Sequence, residues 1–350
     1  MKFNYEWMLS DAVFSKDKGS VFSCFSCGGG STMGYKLAGF DVIGCNEIDP
    51  RMMDVYRANH NPKYSFLEPI QNFKNRNDLT EELYNLDILD GSPPCSSFSF
   101  AGNREKDWGK KKKFREGQSE QVLDTLFFDF IELAAKLRPK IVVAENVKGL
   151  LTKNAKSYVD KIYNKLDAAG YITQHFLLNA AKMGVPQRRE RVFFIAIRKD
   201  LSGQFMRRVD LFNYKPTLNM SFSEKEIPFK EIRCSNGNES AFKMGENMMK
   251  YWHETPPGKS FSHAHPKGSY FNEVKSSPNR ALPTIRASGL PYDYESPRTL
   301  FDVEILKAGT FPKDFNFLGA KPCYFIGMSV PPVMIAHIAT RIYEQWLSKI

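Results

Sequence analysis

Short apolar runs alternate with helix-like segments through the first half of the chain, and this alternation constrains the fold more than any other feature. Residues 21–25, 41–46, 86–89 and 141–144 are apolar enough to form buried strands. Strands that alternate with helices in this way usually form a parallel sheet with helices on both faces. The sequence therefore predicts an α/β fold with a doubly wound sheet.

Local signals set the expected limits of the helices between these runs. Asp49 is suited to cap a helix whose first position is Pro50, and this helix is predicted to run to about Asn59. Pro139 stops a long amphipathic helix that is predicted over residues 121–137. The remaining predictions are helices at 32–38, 79–84 and 157–168, strands at 171–178 and 192–197, and a final apolar helix from Pro332 towards Leu347.

Composition changes after residue 200, where the chain becomes irregular and rich in Pro, Gly, Ser, Asn and aromatic residues. We expect a catalytic and cofactor-binding domain over residues 1–200 and a smaller loop-rich domain over 201–297. Residues 298–350 are expected to return to the first domain, because the last helix has too few neighbours to form a core alone.

Bulk properties exclude several classes of protein. The 350 residues show no signal peptide and no apolar run that we expect to span a bilayer. Six cysteines in a chain of this length favour reduced thiols in the cytoplasm. Cys24 and Cys27 have no second pair at zinc spacing, so no metal site is expected. The net charge of +10 is compatible with a polyanionic partner.

A glycine turn at residues 27–31 follows the first strand and precedes a helix. Such a turn lets the backbone approach a ligand. Glu47 lies at the end of the second strand, where a carboxylate can bind ribose hydroxyls. The glycine turn and Glu47 together favour a nucleoside-containing cofactor. A hydride-transfer dinucleotide enzyme is the rival interpretation, but Gly28, Gly29, Gly30 and Gly34 do not keep the spacing G-x-G-x-x-G.

Cys95 follows two prolines at the end of another apolar run. The prolines restrict the backbone, so this cysteine is either a nucleophile or an ordinary buried thiol, and the stretch alone does not decide between them. Glu145 ends a further strand at the same expected edge of the sheet. In the stretch 187–191, alternate residues should share one side, which groups Gln187, Arg189 and Arg191 unless the stretch is simply an exposed charged edge.

Taken in order, these motifs resemble those of the DNA cytosine-5 methyltransferases along most of the chain. The resemblance is carried by Phe25-Ser26-Cys27-Gly28-Gly29, Ser92-Pro93-Pro94-Cys95 through Gly102, Glu145-Asn146-Val147, Gln187 with Arg189 and Arg191, and Gly327-Met328-Ser329-Val330-Pro331-Pro332. It implies a mostly parallel seven-stranded sheet of the class I S-adenosylmethionine-dependent type, with a smaller target recognition domain.

The resemblance also implies roles for individual residues. The Cys95 thiolate would add to carbon 6 of cytosine, Glu145 would hold the ring, and Arg189 and Arg191 would complete the catalytic set. S-adenosyl-L-methionine would be the cofactor and S-adenosyl-L-homocysteine its product. The residues implied to bind the cofactor are Phe25, Ser26, Cys27, Gly28, Gly29, Glu47, Ile48, Glu68, Pro94, Met328 and Ser329.

Three positions depart from the family pattern. Cys27 replaces the first glycine of the cofactor motif, Met328 replaces an asparagine of the last motif, and Ile48 stands where an aromatic residue often contacts the adenine. None of these changes removes a group needed for the chemistry, so cofactor affinity is the property expected to differ.

Double-stranded DNA is the partner that the resemblance implies. A loop over residues 99–118 is expected to close over a flipped base, with Gly102, Gly109 and Gly117 as pivots and positive charges at 110–113. Its DNA-binding residues would include Ser99, Gly102, Lys110 and Lys111, together with Gln187. In the recognition region, Lys259, Lys267, Lys275 and Arg280 are expected to contact phosphates.

Two alternatives share the fold. A tRNA cytosine-5 methyltransferase would typically carry a Cys-Phe-Thr tripeptide, which this sequence lacks. An inactive methyltransferase-like DNA-binding protein would not need Cys95, Glu145 and Arg189 together. We further expect a monomer in the bacterial cytoplasm, associated with the nucleoid and not with membrane, with a restriction endonuclease as its genetic partner.

Overall fold

The chain forms two compact units in a computed structural model that describes residues 3–94, 111–112, 121–122, 125–152, 155–208, 214–235 and 244–350. The sheet unit comprises Phe14–Leu178, Glu190–Ser221 and Ile338–Ile350, and the loop-rich unit comprises Met1–Val13, Asn179–Arg189 and Phe222–His337. The predicted site residues Cys95, Ser99, Gly102 and Lys110 lie outside the described residues, as do Gly109 and Gly117.

A single seven-stranded sheet forms the centre of the sheet unit. Its strands are β1 (Ser20–Cys24), β2 (Asp41–Glu47), β3 (Tyr64–Leu67), β4 (Ile88–Gly91), β5 (Ile141–Val147), β6 (Tyr171–Asn179) and β7 (Glu190–Arg198). Their order is β3-β2-β1-β4-β5-β7-β6. The first five positions in this order are parallel, and β7 runs antiparallel to β5. The predicted mostly parallel seven-stranded sheet is confirmed.

Helices connect the strands as the alternation predicted. They are α1 (Gly30–Leu37), α2 (Pro50–His60), α3 (Ile70–Phe73), α4 (Leu126–Leu137) and α5 (Lys156–Ala168), with a 3-10 turn at Glu81–Tyr84. The cap of α2 is confirmed, because Asp49 Oδ1 accepts hydrogen bonds from the backbone N–H groups of Arg51 (2.9 Å) and Met52 (3.3 Å).

The predicted start of α4 at residue 121 is wrong. Gln121–Val122 pairs antiparallel with Lys111–Lys112, and the helix begins only at Leu126. A backbone that is committed to a β ladder cannot also make the i to i−4 bonds of a helix. From Leu126 onward, the buried positions Leu126, Phe130, Leu133 and Leu137 share the face that enters the main core of this unit.

Four α-helices lie wholly within the loop-rich unit among its described residues, and no extended sheet is found there. These helices are α6 (Phe229–Ile232), α7 (Glu246–Glu254), α8 (Asp302–Gly309) and α9 (Pro322–Met328). A small core of Met244, Trp252, Phe261 and Tyr292 lies beside isolated β bridges. Lys275 is buried with its ammonium 3.8 Å from the centroid of the Trp252 ring, so the expectation that it contacts phosphate is not supported.

A buried ionic network stabilises the same unit. Asp293 accepts from Arg233 Nε at 2.9 Å and lies 2.5 Å from Arg298 Nη2. Arg298 also reaches Glu304 at 2.8 Å, and Glu304 accepts from the backbone N–H of Cys234 at 2.9 Å. Each buried charge therefore has a partner, which is the condition for burying it.

The last helix, α10 (Pro332–Gln345), lies near where it was predicted and crosses the boundary between the units after His337. The stretch Pro322–Lys349 is apolar and long enough to cross a membrane on composition alone. In its most apolar window, 78% of the residues are buried within the protein, as in the core helices of soluble proteins.

Candidate active site

The predicted functional residues of the sheet unit meet at one edge of the sheet. Because β1, β2, β3, β4 and β5 are parallel, their carboxyl ends share an edge. Cys24 at the end of β1 pairs with Gly91 of β4, and Gly91 pairs with Ala144 of β5. These strand ends carry the glycine turn, Glu47, the Pro-Pro segment and Glu145.

Cys27 occupies a conformation that normally favours glycine. Its φ is 51°, and Gly29 two residues later has a φ of 90°. The left-handed region costs a side chain roughly 1–2 kcal/mol, which explains why a glycine is usual at this position. The Cys27 N–H donates to Glu47 Oε2 at 2.7 Å, and this bond offsets part of the cost. The departure from the family motif thus leaves the turn geometry available.

Glu47 fastens the glycine turn to the end of β2. Its buried carboxylate accepts from the N–H groups of Cys27 (2.7 Å), Ile48 (2.9 Å) and Asp49 (3.0 Å). Burial raises the pKa of Glu47, while these three bonds act in the opposite direction. A carboxylate has about four acceptor positions, so one remains on Oε2 for a donor such as a ribose hydroxyl.

His60 packs against the glycine turn. Its Nε2 lies 3.3 Å from the Gly28 carbonyl oxygen, and a Cβ added at Gly29 would lie 2.0 Å from the same nitrogen. Burial lowers the pKa of His60 to about 3, so the ring is neutral at physiological pH. Nothing in the sequence pattern pointed to His60, whose position near the end of α2 is also typical of a simple C-terminal helix residue.

The polar groups around the turn fit a nucleoside cofactor. The buried Ser26 hydroxyl has no oxygen or nitrogen partner among the described residues, and the Cys45 thiol beside it is a weak acceptor. Glu47 has one acceptor position to spare, and Ile48 follows it half-buried. Glu68, also predicted to bind the cofactor, has its carboxylate 2.9 Å from Arg76 Nη1.

Asn146 holds the segment that leads to Cys95. Its buried side-chain Nδ2 donates to the Pro93 carbonyl at 3.0 Å, and Ser92 N–H donates to the Cys24 carbonyl at 3.4 Å. Pro94 is the last described residue before the predicted nucleophile. The end of β5 therefore fixes the backbone that precedes Cys95, a role that its place in the Glu-Asn-Val motif did not reveal.

Glu145 is oriented by an arginine from the neighbouring strand. Arg191 Nε lies 2.9 Å from Glu145 Oε1, and both side chains are nearly buried. The register of β5 and β7 brings them together, because Glu145 pairs with Phe193 and Val147 with Arg191. Burial lowers the pKa of Arg191, while Glu145 acts to raise it. The pair is a carboxylate held in one orientation at the sheet edge.

A second buried carboxyl group, Asp90, lies on β4 before the Pro-Pro segment. It accepts from Ser23 Oγ at 2.9 Å and from the Tyr35 hydroxyl at 3.2 Å. Burial raises the pKa of Asp90 to about 7, since it outweighs these bonds, and the nearby Glu145 charge adds to the rise. The burial and the raised pKa of Asp90 were not evident from the sequence, where it resembles an ordinary acidic residue at the end of a strand.

The remaining predicted residues belong to the loop-rich unit, where they contact backbone. Gln187 Oε1 accepts from Ile285 N–H at 3.0 Å, and its Nε2 donates to the Ala308 carbonyl at 3.1 Å. Arg189 donates to the carbonyls of Ile285 (3.0 Å) and Gly327 (2.8 Å). Both side chains are buried and hold the segment around Ile285 in place.

The last motif places two predicted cofactor residues side by side in this unit. Met328 is about half exposed, whereas Ser329 is buried and its hydroxyl has no partner among the described residues. An unsatisfied buried hydroxyl is uncommon in folded proteins. It is therefore a candidate ligand group. The backbone of Lys111 is described, but its side chain is not.

The chain is similar to known proteins over most of its length. Residues 19–344 match the family described as C-5 cytosine-specific DNA methylase. The Type II methyltransferase M.NgoFVII of Neisseria gonorrhoeae is 28% identical over 95% of this chain and 89% of its own length. The Type II methyltransferase M.FnuDI of Fusobacterium nucleatum is 36% identical, but the match spans only 52% of this chain and 48% of that protein.

A solved structure shares the fold. A prophage-encoded protein from E. coli, solved as a candidate DNA modification methyltransferase, superposes with a TM-score of 0.63 at 21% identity. The match covers 93% of this chain and 99% of that chain. At 21% identity the likeness shows the fold of the chain alone.

Proposed function

The chain belongs to the C-5 cytosine-specific DNA methylase family, and on this premise we propose that it methylates carbon 5 of a flipped-out cytosine within a short sequence of duplex DNA. The observation that carries the proposal is the arrangement at the carboxyl edge of the sheet. There Asn146 fixes the Pro93 carbonyl beside a Glu145–Arg191 pair. The description of the family, which names DNA, favours DNA over tRNA as the substrate.

Carbon 5 of cytosine is a weak nucleophile, so we assign the activation step to Cys95. Its thiolate adds to carbon 6, a C–S bond forms, and the electron pair of the carbon 5–carbon 6 bond makes carbon 5 nucleophilic. Glu145 holds the ring at N3 and the exocyclic amine while negative charge develops. After carbon 5 has gained a methyl group, its proton leaves to a base, the C–S bond breaks, and the double bond returns.

S-adenosylmethionine supplies an electrophilic methyl group when it is bound. We assign its binding to the turn of Ser26, Cys27, Gly28 and Gly29 together with Glu47. The Ser26 hydroxyl, whose neighbour among the described residues is the weakly accepting Cys45 thiol, and the spare acceptor position of Glu47 support this assignment. The part that Met328 and Ser329 of the last motif have in cofactor binding stays a prediction that the family resemblance implies.

Thiolate formation needs help, because a free thiol has a pKa of about 8.5 and is only a few per cent ionised near neutral pH. The role of Arg189 in this step stays a prediction, since its guanidinium donates to two backbone carbonyls. Base flipping by the loop over 99–118, a monomeric state, a cytoplasmic location and a cognate restriction endonuclease belong to the proposal as well.

Trapping on a modified substrate tests the proposal directly. We expect wild-type protein, duplex DNA carrying 5-fluorocytosine and S-adenosylmethionine to give an adduct that survives denaturation, because fluorine at carbon 5 blocks release. Cys95→Ala should bind DNA but give no adduct and at least a 1,000-fold lower methylation rate by bisulfite sequencing, as an order-of-magnitude expectation for loss of a nucleophile. Peptide mapping should place the adduct on Cys95.

Cys234→Ala is the matched control, because Cys234 is a partly buried thiol in the loop-rich unit. It should keep both the adduct and the activity. An adduct in Cys95→Ala, or turnover near the wild-type rate, would contradict the assignment of the nucleophile.

A further inference from the structure

A hairpin in the loop-rich unit projects a run of exposed residues. Its arms are joined at the Ser260–Val274 bridge, where Phe261 N–H donates to Glu273 O (2.7 Å) and Lys275 N–H donates to Lys259 O (3.0 Å). Between the arms, every residue from 266 to 272 is exposed. We call residues 266–272 the hairpin tip.

Side chains at the base fix the shape of the tip. The Ser260 hydroxyl lies within hydrogen-bond distance of the carbonyls of Tyr270 (2.9 Å) and Phe271 (2.8 Å). His265 Nδ1 accepts from the N–H groups of Lys267 (3.1 Å) and Ser269 (3.2 Å). The exposed backbone is therefore held by polar contacts at both sides, and its conformational entropy is already lost in the folded protein.

A cluster of rings braces the tip against helix α7. The Tyr251 ring lies 5.0 Å from His265 and 5.7 Å from Tyr270, and these two rings lie 5.3 Å apart. Tyr270 has a φ of 62°, a left-handed conformation that costs roughly 1–2 kcal/mol. Such strain persists where the surroundings enforce it, and it is concentrated at functional sites.

Phe271 follows this strained residue and is 76% exposed. A phenylalanine left in water forgoes roughly 1.5–3 kcal/mol of burial. A single exposed apolar residue on a mobile loop would need no explanation. Phe271 differs because an ordered and strained backbone holds it away from the protein.

Charges around the tip favour a polyanion. Residues 255–272 contain no Asp or Glu, while Lys259 and Lys267 are basic and exposed. Glu273 at the end of the hairpin has its carboxylate 3.8 Å from Arg286. An isolated apolar side chain with lysines beside it suits an aromatic base stack flanked by phosphates better than a protein surface, which would require a contiguous apolar patch.

We propose that the hairpin tip enters a groove of duplex DNA and that Phe271 wedges against a base step, with Lys267 and Lys259 contacting phosphates. Apolar side chains used in this way unstack a base step and bend the duplex. The inference rests on the proposed function for the identity of its partner, and it assigns a DNA contact that the catalytic motifs do not include.

Phe271→Ala tests the wedge, with Phe271→Trp as the conservative variant. Tyr214→Ala is the matched control, because Tyr214 is an exposed aromatic residue of the sheet unit. The measurements are duplex affinity by fluorescence anisotropy at fixed salt, 2-aminopurine fluorescence as a sign of unstacking, KM for DNA and kcat, S-adenosylmethionine affinity, and Tm.

Phe271→Ala should weaken duplex affinity about tenfold, as expected for losing one stacking contact, raise KM for DNA and remove the 2-aminopurine signal. Phe271→Trp should keep both within about threefold on the same reasoning. Cofactor affinity and Tm should not change. A loss of Tm or cofactor affinity in Phe271→Ala would assign the residue a structural role and overturn the inference.

Two other results would also overturn it. If Phe271→Ala binds DNA like Tyr214→Ala but shifts self-association in sedimentation, the tip contacts a second copy of the chain and not DNA. If wild-type protein methylates DNA while Phe271→Ala is indistinguishable from it, only the wedge fails. Failure of the wild-type protein to bind or methylate any duplex would instead remove the proposed function and the wedge with it.

Discussion

Asp90 is a carboxyl group placed among other titratable groups with little access to water. Cys24 lies on the neighbouring strand β1, Tyr35 lies on α1, Tyr56 lies on α2, and Glu145 lies on β5. Its pKa of about 7 exceeds the ordinary value of 3.8. A difference between the folded and unfolded pKa makes the free energy of unfolding depend on pH.

The sign of the dependence follows from which state holds the proton. Below pH ~4 both states are protonated. Between pH ~4 and about 7 the unfolded state loses its proton while the folded state keeps it, so Asp90 makes the protein less stable as pH rises. The loss is complete above pH ~7 and amounts to at most about 4 kcal/mol.

Asp90→Asn should remove this dependence, because an amide does not titrate in the range. In urea titrations, we expect the free energy of unfolding of the variant minus that of wild type to increase as the pH rises from 5 to 8. Ser23→Ala is a suitable control, since it deletes one hydrogen bond to Asp90 but keeps the titrating group. Parallel pH curves for wild type and Asp90→Asn would contradict the prediction.

Among the elements, the glycine turn shows how a backbone conformation and a neighbouring helix act together. Gly29 and Gly170 have nearly the same φ, 90° and 91°. A Cβ at Gly29 would meet His60 Nε2 at 2.0 Å, whereas a Cβ at Gly170 would have nothing within 4 Å. The two positions separate the cost of the conformation from the cost of the contact.

Gly170→Ala should cost roughly 1–2 kcal/mol of stability, the price of a left-handed alanine. Gly29→Ala should cost at least about 1 kcal/mol more, because the turn or His60 must move, and it should weaken S-adenosylmethionine binding at least tenfold by calorimetry. His60→Ala in the Gly29→Ala background should recover part of the stability. Equal losses in the two glycine variants would show that His60 does not support the turn.

Strands and helices followed the sequence where local signals decide them. Apolar runs located β1, β2, β4 and β5 to within three residues at each end, and Asp49 with Pro50 set the start of α2. The start of α4 was misplaced because the pairing of Gln121–Val122 with Lys111–Lys112 is a non-local contact. Periodicity carries no information about such a partner.

The candidate site divides in the same way. Motif spacing located Glu47, Glu145 and Arg191 at one sheet edge, where parallel topology brings strand ends together. It did not show that Arg189 binds the carbonyls of Ile285 and Gly327, which are 96 and 138 positions away in the chain. Contacts over such separations depend on the packed fold, which one sequence does not reveal.

For the whole molecule, composition and contacts divide the chain differently. Composition set the loop-rich region at 201–297, whereas the compact loop-rich unit joins Met1–Val13 and Asn179–Arg189 to Phe222–His337. The chain therefore passes between the units after Val13, Leu178, Arg189, Ser221 and His337. Each unit has its own apolar core, so a local defect in one unit should first loosen that unit.

Asp293 allows this expectation to be tested, because its side chain is fully buried between Arg233 and Arg298. Asp293→Asn would leave two arginine charges without their shared partner, and removing one member of a buried pair typically costs about 3–5 kcal/mol. Glu295→Gln is the matched control, since Glu295 pairs with the same Arg233 but is 62% exposed. It should cost roughly 0–1 kcal/mol.

Hydrogen exchange followed by mass spectrometry would locate the effect. In Asp293→Asn, amides of Phe222–His337 should exchange faster, while those of β1, β2, β4 and β5 should keep their protection, because the network lies entirely within the loop-rich unit. If Asp293→Asn and Glu295→Gln lower the free energy of unfolding equally, the buried network does not stabilise the unit more than an exposed ion pair does. Faster exchange throughout the sheet unit would mean that the two units open as one.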